Sequence, residues 1–109
     1  MGKTLSIDFD DTLCSRSSKQ PIQGAVEALK QLKSEGYTIL ISSSRMNPEL
    51  WGDLVKFREK EIADWMNQYS IPYDKIVLYK PSADVYIDDK ALRFEGDWKI
   101  TLGEIKKRV

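Results

Sequence analysis

Residues 6–13 read SIDFDDTL, an apolar strand pattern that ends in acid. Leu5, Ile7 and Phe9 alternate with smaller or polar neighbours, so residues 3–9 read as one buried strand. Asp8 and Asp10 stand two residues apart where that strand leaves its sheet, a spacing that aims both side chains at one crevice. Carboxylates among apolar neighbours, with no basic residue close by in the sequence, are costly as structure alone, which points to chemistry that uses them. Asp11, like Asp84, reads instead as a turn or helix cap.

Working outward, strand and helix patterns alternate. SRSSKQPIQG is a polar connection with Pro21 near a helix entrance. Val26, Leu29 and Leu32 then recur at helical spacing, and Gly36 stands where a left-handed residue would end that helix. YTILIS, residues 37–42, is the second strand. Asn47 with Pro48 caps a second helix whose inner stripe is Trp51, Val55, Ile62, Trp65 and Tyr69. Short apolar runs follow at KIVLY, DVYI and DWKIT, and GEIKKRV closes on a last helix. The three tryptophans, Trp51, Trp65 and Trp98, fall inside these patterns and read as packing. The alternation predicts a Rossmann-like, three-layer α/β/α sandwich with a central, mostly parallel sheet and right-handed crossovers. In such sheets the binding crevice lies beyond the carboxyl ends of the strands.

The 109 residues suit one domain, 1–109, and 41% of them are apolar, enough for one core. Seventeen basic residues balance seventeen acidic ones without a basic tract, so a nucleic-acid partner is not favoured. Cys14 is a lone cysteine, which leaves no disulfide framework and no zinc cluster, and no long apolar segment suggests a membrane. The expected address is the cytoplasm. MGKTLS fits the loose myristoylation pattern, but the same residues lead straight into the first strand.

Two further polar clusters fall at strand ends. Ser42, Ser43, Ser44 and Arg45 end the second strand, and Asp88 and Asp89 end the fourth, with Lys80 before them. Carboxylates crowded at one rim repel unless a cation intervenes, and Mg2+, hard and oxygen-seeking, would supply the charge. Arg45, Lys90 and Arg93 have two readings, contact with substrate or, as the usual explanation, surface charge.

These stretches resemble the haloacid-dehalogenase-like superfamily from about residue 4 to residue 101. Its Asp-x-Asp-x-Thr motif is met by Asp8 to Thr12, its strand-end hydroxyl by the serine run, its lone lysine by Lys80 in YKPSAD, and its acidic pair by Asp88 and Asp89 in VYIDDKA. The resemblance implies a phosphatase in which Asp8 attacks phosphorus and forms an aspartyl phosphate, while Asp10 acts as general acid and then base. Burial among other carboxylates is expected to keep a proton on Asp10. It also implies Lys80 neutralising the phosphoryl oxygens and a serine, Ser43 in preference to Ser42, donating to them. Asp8, the Asp10 carbonyl and Asp88 would hold Mg2+, with Asp89 and Thr12 behind them.

A short flap at residues 13–21, and room for only one long helix before Lys80, imply an open site without a cap. Such a site would admit a large phosphorylated substrate or borrow a lid from a second subunit in a homo-oligomer. The compact KPSADVYIDDKA stretch resembles small members linked to sugars and nucleotides. Two rivals remain: a binding or scaffold protein that keeps the site without turnover, and a receiver-like phosphoacceptor. The receiver's order differs, because its acidic pair comes first.

Overall fold

The computed structural model describes residues 3–77, 84, 85, 88 and 90–109. Three strands, β1 (Thr4–Asp8), β2 (Thr38–Ser42) and β3 (Lys75–Ile76), form a parallel sheet in the order β1-β2-β3. Helices link the strands, giving a Rossmann-like α/β fold in which β1 and β2 are each followed by a helical crossover to the next strand. Parallel pairing sets Ile7 opposite Ile41 and Asp8 opposite Ser42. The carboxyl ends of β1 and β2 are therefore level, and whatever follows each strand emerges at the same rim.

Burial alternates along the strands. Ile7, Phe9, Ile39 and Ile41 are buried, whereas Thr4 and Ser6 on the opposite face of β1 are exposed. The buried face joins one core cluster with Leu29 and Leu32 of α1 (Ala25–Ser34) and Ile62 and Met66 of α3 (Val55–Gln68). As expected, α1 ends at Glu35 with Gly36 next, at a left-handed φ of 92°. At the other end Gly24 has φ 87°, and a Cβ there would meet Trp98 Cβ at 3.2 Å. This close approach lets α4 (Trp98–Arg108) lie beside α1, joined at the far end by Lys106 Nζ to Glu35 Oε2 at 3.0 Å.

Two expectations change. The helix after Asn47 does begin as read, with Asn47 Oδ1 accepting from Glu49 N and Pro48 in the first turn. It breaks at Gly52, however, whose φ of 51° is incompatible with a continuous α-helix. Four residues of α2 (Pro48–Trp51) give way to a 3-10 turn, Gly52–Leu54, before α3. The DWKIT run is the opening of α4. Asp97 Oδ1 caps it by accepting from Lys99 N at 2.8 Å, and the Thr101 hydroxyl donates to the Asp97 carbonyl at 3.0 Å, so local capping overrides the β-branched composition. Of KIVLY only the start is described: β3, with Val77 N donating on to the Ile41 carbonyl at 2.9 Å. Of the DVYI run only Asp84 and Val85 are among the described residues.

Asp74 extends the sheet with its side chain. Its backbone N donates to the Ile39 carbonyl at 2.8 Å, its Oδ2 accepts from Ile39 N at 2.7 Å, and Lys33 Nζ from α1 donates to both carboxylate oxygens. The Lys33 bonds, and after them the Ile39 amide, hold the Asp74 carboxyl below the usual carboxylate range.

Candidate active site

Beyond β1 the chain curls tightly. Phe9 N donates to the Ser42 carbonyl at 3.0 Å, the amides of Leu13 and Cys14 both donate to the Phe9 carbonyl, and Asp11 N donates to the Cys14 carbonyl at 2.7 Å. Asp11 takes the left-handed φ of 58° that the curl requires. Its carboxylate accepts from Arg16 N at 2.8 Å and pairs with Arg16 Nε at 3.0 Å, the turn-closing part expected of it. Trp98 Nε1 donates to the Thr12 carbonyl at 2.9 Å and ties the same curl to α4.

This curl buries Asp10, which is 7% exposed. Ser43, 1% exposed, follows β2 directly and begins a 3-10 turn, Ser44–Met46, that swings Arg45 back toward β1. Arg45 grips the Asp10 carboxylate with two bonds, Nη2 to Oδ1 at 2.9 Å and Nε to Oδ2 at 3.2 Å. The Ser43 hydroxyl donates to Asp10 Oδ2 at 3.4 Å and accepts from Arg45 N at 3.1 Å. The guanidinium also lies 5.4 Å from the Phe9 ring centroid. Of the three serines, then, Ser43 is the one that reaches Asp10.

The Arg45 contact corrects the sequence reading, which favours surface charge for this residue. It also reverses the environment expected for Asp10: a guanidinium and a hydroxyl surround the carboxylate, and both of its oxygens act as acceptors. The available signal was the position of Arg45 two residues after Ser43, where one turn of 3-10 helix points it at the neighbouring strand end.

Asp8 closes β1 opposite Ser42 and is half-buried. Asp88 is exposed, and its Oδ1 accepts from Lys90 N at 2.7 Å. Lys80 and Asp89 lie outside the described residues, so the meeting of Asp8, Ser43, Lys80 and Asp88 is drawn only in part. Among the described residues no three Asp, Glu, Cys or His side chains gather closely enough to hold a metal ion. The oxygen donors at β1, the Asp8 carboxylate and the Asp10 carbonyl, are chemically suited to a hard cation, but the third acid of the expected set is not brought to them.

Beside Asp10 opens a cleft of about 330 Å3 lined by Phe9, Cys14, Lys19, Arg45, Arg58, Glu61 and Trp65. Its outer wall is the 15–20 loop, fastened to α3 by Trp65 Nε1 donating to the Lys19 carbonyl at 2.8 Å and by Tyr69 Oη to Gln20 Oε1 at 3.2 Å. Trp65 meets Phe9 edge to face at 5.2 Å. Burial, and then the charge of Asp10, pushes the Cys14 thiol up, so it stays protonated and is a poor nucleophile.

The sequence profile of the haloacid dehalogenase-like hydrolases matches residues 5–57, the span that holds Asp8, Asp10, Ser43 and Arg45. No curated protein matches the chain. A crystal structure solved as an MCSG target from Vibrio cholerae is similar over 98% of this chain and 95% of its own, at 30% identity and a TM-score of 0.76. A likeness that spans nearly the whole of both chains, together with the family profile across both strand-end motifs, leads to one conclusion: this chain belongs to the haloacid dehalogenase-like hydrolases.

Proposed function

We propose that this hydrolase is a magnesium-dependent phosphomonoesterase that works through an aspartyl phosphate on Asp8, with no cap over its site. The observation that carries the reading is the pairing of Asp8 and Asp10 at the end of β1, with Ser43 and Arg45 delivered from β2 to the second of them. A phosphoryl group seated at this rim would have a carboxylate nucleophile below it and donors beside it, which is most of what phosphoryl transfer requires.

Asp8 attacks phosphorus, forming its P–O bond as the bond to the leaving oxygen breaks. Asp10 gives its proton to that leaving oxygen, then takes one from the water that attacks the aspartyl phosphate and restores Asp8. Arg45 holds both Asp10 oxygens here. The incoming phosphoryl oxygens are the natural competitors for that guanidinium. Ser43 donates to the phosphoryl group, and Lys80 adds positive charge. Asp8 and the Asp10 carbonyl are the oxygens that would hold magnesium, which when bound would neutralise the charge of the transferred group.

The test is hydrolysis of p-nitrophenyl phosphate with and without Mg2+. Activity is expected to vanish with EDTA, return with Mg2+, and be lost in Asp8→Asn. Turnover that survives in Asp8→Asn would rule out the covalent route. A folded wild-type protein inert toward aryl, sugar, nucleotide, oligonucleotide and peptide phosphates would favour a binding role.

A further inference from the structure

The cleft beside Asp10 is not used by the chemistry just described, and its walls have a definite character. Three cations, Lys19, Arg45 and Arg58, line it against one carboxylate, Glu61, with the Trp65 indole as its half-buried apolar wall and Phe9 buried behind. Arg58 Nη1 bonds Glu61 Oε1 at 2.8 Å and its guanidinium stacks 3.8 Å from the Trp51 ring centroid. Its Nε is buried without an acceptor among the described residues. The Glu61 bond and the Trp51 stack hold the guanidinium in place at the cleft wall. Lys19 has no carboxylate partner within ion-pair distance among the described residues. Its backbone is nevertheless fixed by a left-handed φ of 63° and by the Trp65 indole on its carbonyl. Arg45 stands between the cleft and Asp10, touching both.

We infer that this cleft receives the leaving-group half of the substrate, and that this half carries its own anionic group, a carboxylate or second phosphate, on a ring-sized frame. The inference rests on the phosphatase reading for the words leaving group; the preference for an anion rests on the cleft itself. A volume of about 330 Å3 lies at the small end of ligand sites and suits one ring with one substituent. The Trp65 indole would take the ring, while Lys19 and Arg58 would take the charge.

Three matched esters test this: phenyl phosphate, 3-carboxyphenyl phosphate and its neutral isostere 3-carbamoylphenyl phosphate. The wild type is expected to favour the carboxylate over the carboxamide about tenfold in kcat/KM, the effect of one charge-assisted contact. That ratio should fall toward one in Lys19→Ala, invert in Lys19→Glu and recover in Lys19→Arg. Binding is read separately by titrating 3-hydroxybenzoate and 3-hydroxybenzamide against the Trp65 indole proton resonance, which reports on the loop wall. The acid should shift it at roughly tenfold lower concentration. Hydrolysis with a ratio near one, or a ratio unchanged in Lys19→Glu, overturns the inference and leaves the phosphatase reading intact. No hydrolysis with a selective indole shift sinks the phosphatase reading and upholds the anion cleft. Neither hydrolysis nor a shift defeats both.

Discussion

Replacing Arg45 by Met removes the guanidinium from Asp10 while keeping most of the apolar stem. Among the described residues, buried Asp10 is then left with only the Ser43 hydroxyl, at 3.4 Å, facing it. Breaking a fully buried ion pair costs about 3–5 kcal/mol, and an exposed pair contributes about 0–1 kcal/mol. Because the Arg45 side chain is 23% exposed, the loss should fall between these limits, at about 2 kcal/mol. In a domain of this size that corresponds to a drop in Tm of roughly 10 °C. The contact of Arg45 with the Phe9 ring is lost as well, but it is lost equally whether or not Asp10 carries a charge. A double-mutant cycle with Asp10→Asn therefore isolates the ion pair. In the Asn background, Arg45→Met should cost less than about 1 kcal/mol, giving a coupling of at least about 1 kcal/mol. Urea unfolding of the four proteins at pH 7 measures it. A coupling below about 0.5 kcal/mol would refute the claim that Arg45 holds Asp10.

Acid should act through Asp74. Its carboxyl is depressed in the folded state by Lys33 and the Ile39 amide, so the stability it contributes is present above the unfolded value, near pH 4. That stability is lost as pH falls through the lower folded value. Urea midpoints taken from pH 6 to pH 3 should decline less steeply in Asp74→Asn than in the wild type, and parallel declines would contradict this account. At the α1 entrance, Gly24→Ala places a Cβ at φ 87° and 3.2 Å from Trp98, with an expected loss of about 1–2 kcal/mol in urea. An unchanged midpoint would show that α1 and α4 can part without cost.

Much of this arrangement was visible in local chemistry. The alternation of Leu5, Ile7 and Phe9, the dense YTILIS run, Asn47 before Pro48, and Gly36 after a helical stripe each act within a few residues. They specify strands, caps and stops before any tertiary contact forms. Asp11 as a turn closer belongs to the same class, since its partner Arg16 lies five residues on. DWKIT misled because side-chain composition favours a strand while the cap at Asp97 and the back-bond from Thr101 favour a helix, and the helix prevailed. Gly52 has two local readings, a tolerated helix residue or a break, and its φ of 51° takes the second.

By itself, the order of residues determined that two carboxylates would leave a strand end together, near a serine run from the next strand. Period-two patterning and the parallel register make that outcome nearly unavoidable. Only the tertiary structure decided what those carboxylates meet. The 3-10 turn after Ser43 carries Arg45 across a gap of thirty-five residues onto Asp10, turning an expected crowd of acids into a bidentate ion pair. The docking of the 15–20 loop on Trp65, forty-six residues from Lys19, likewise creates the cationic cleft. Contacts at such separations depend on how elements pack, which no local spacing encodes.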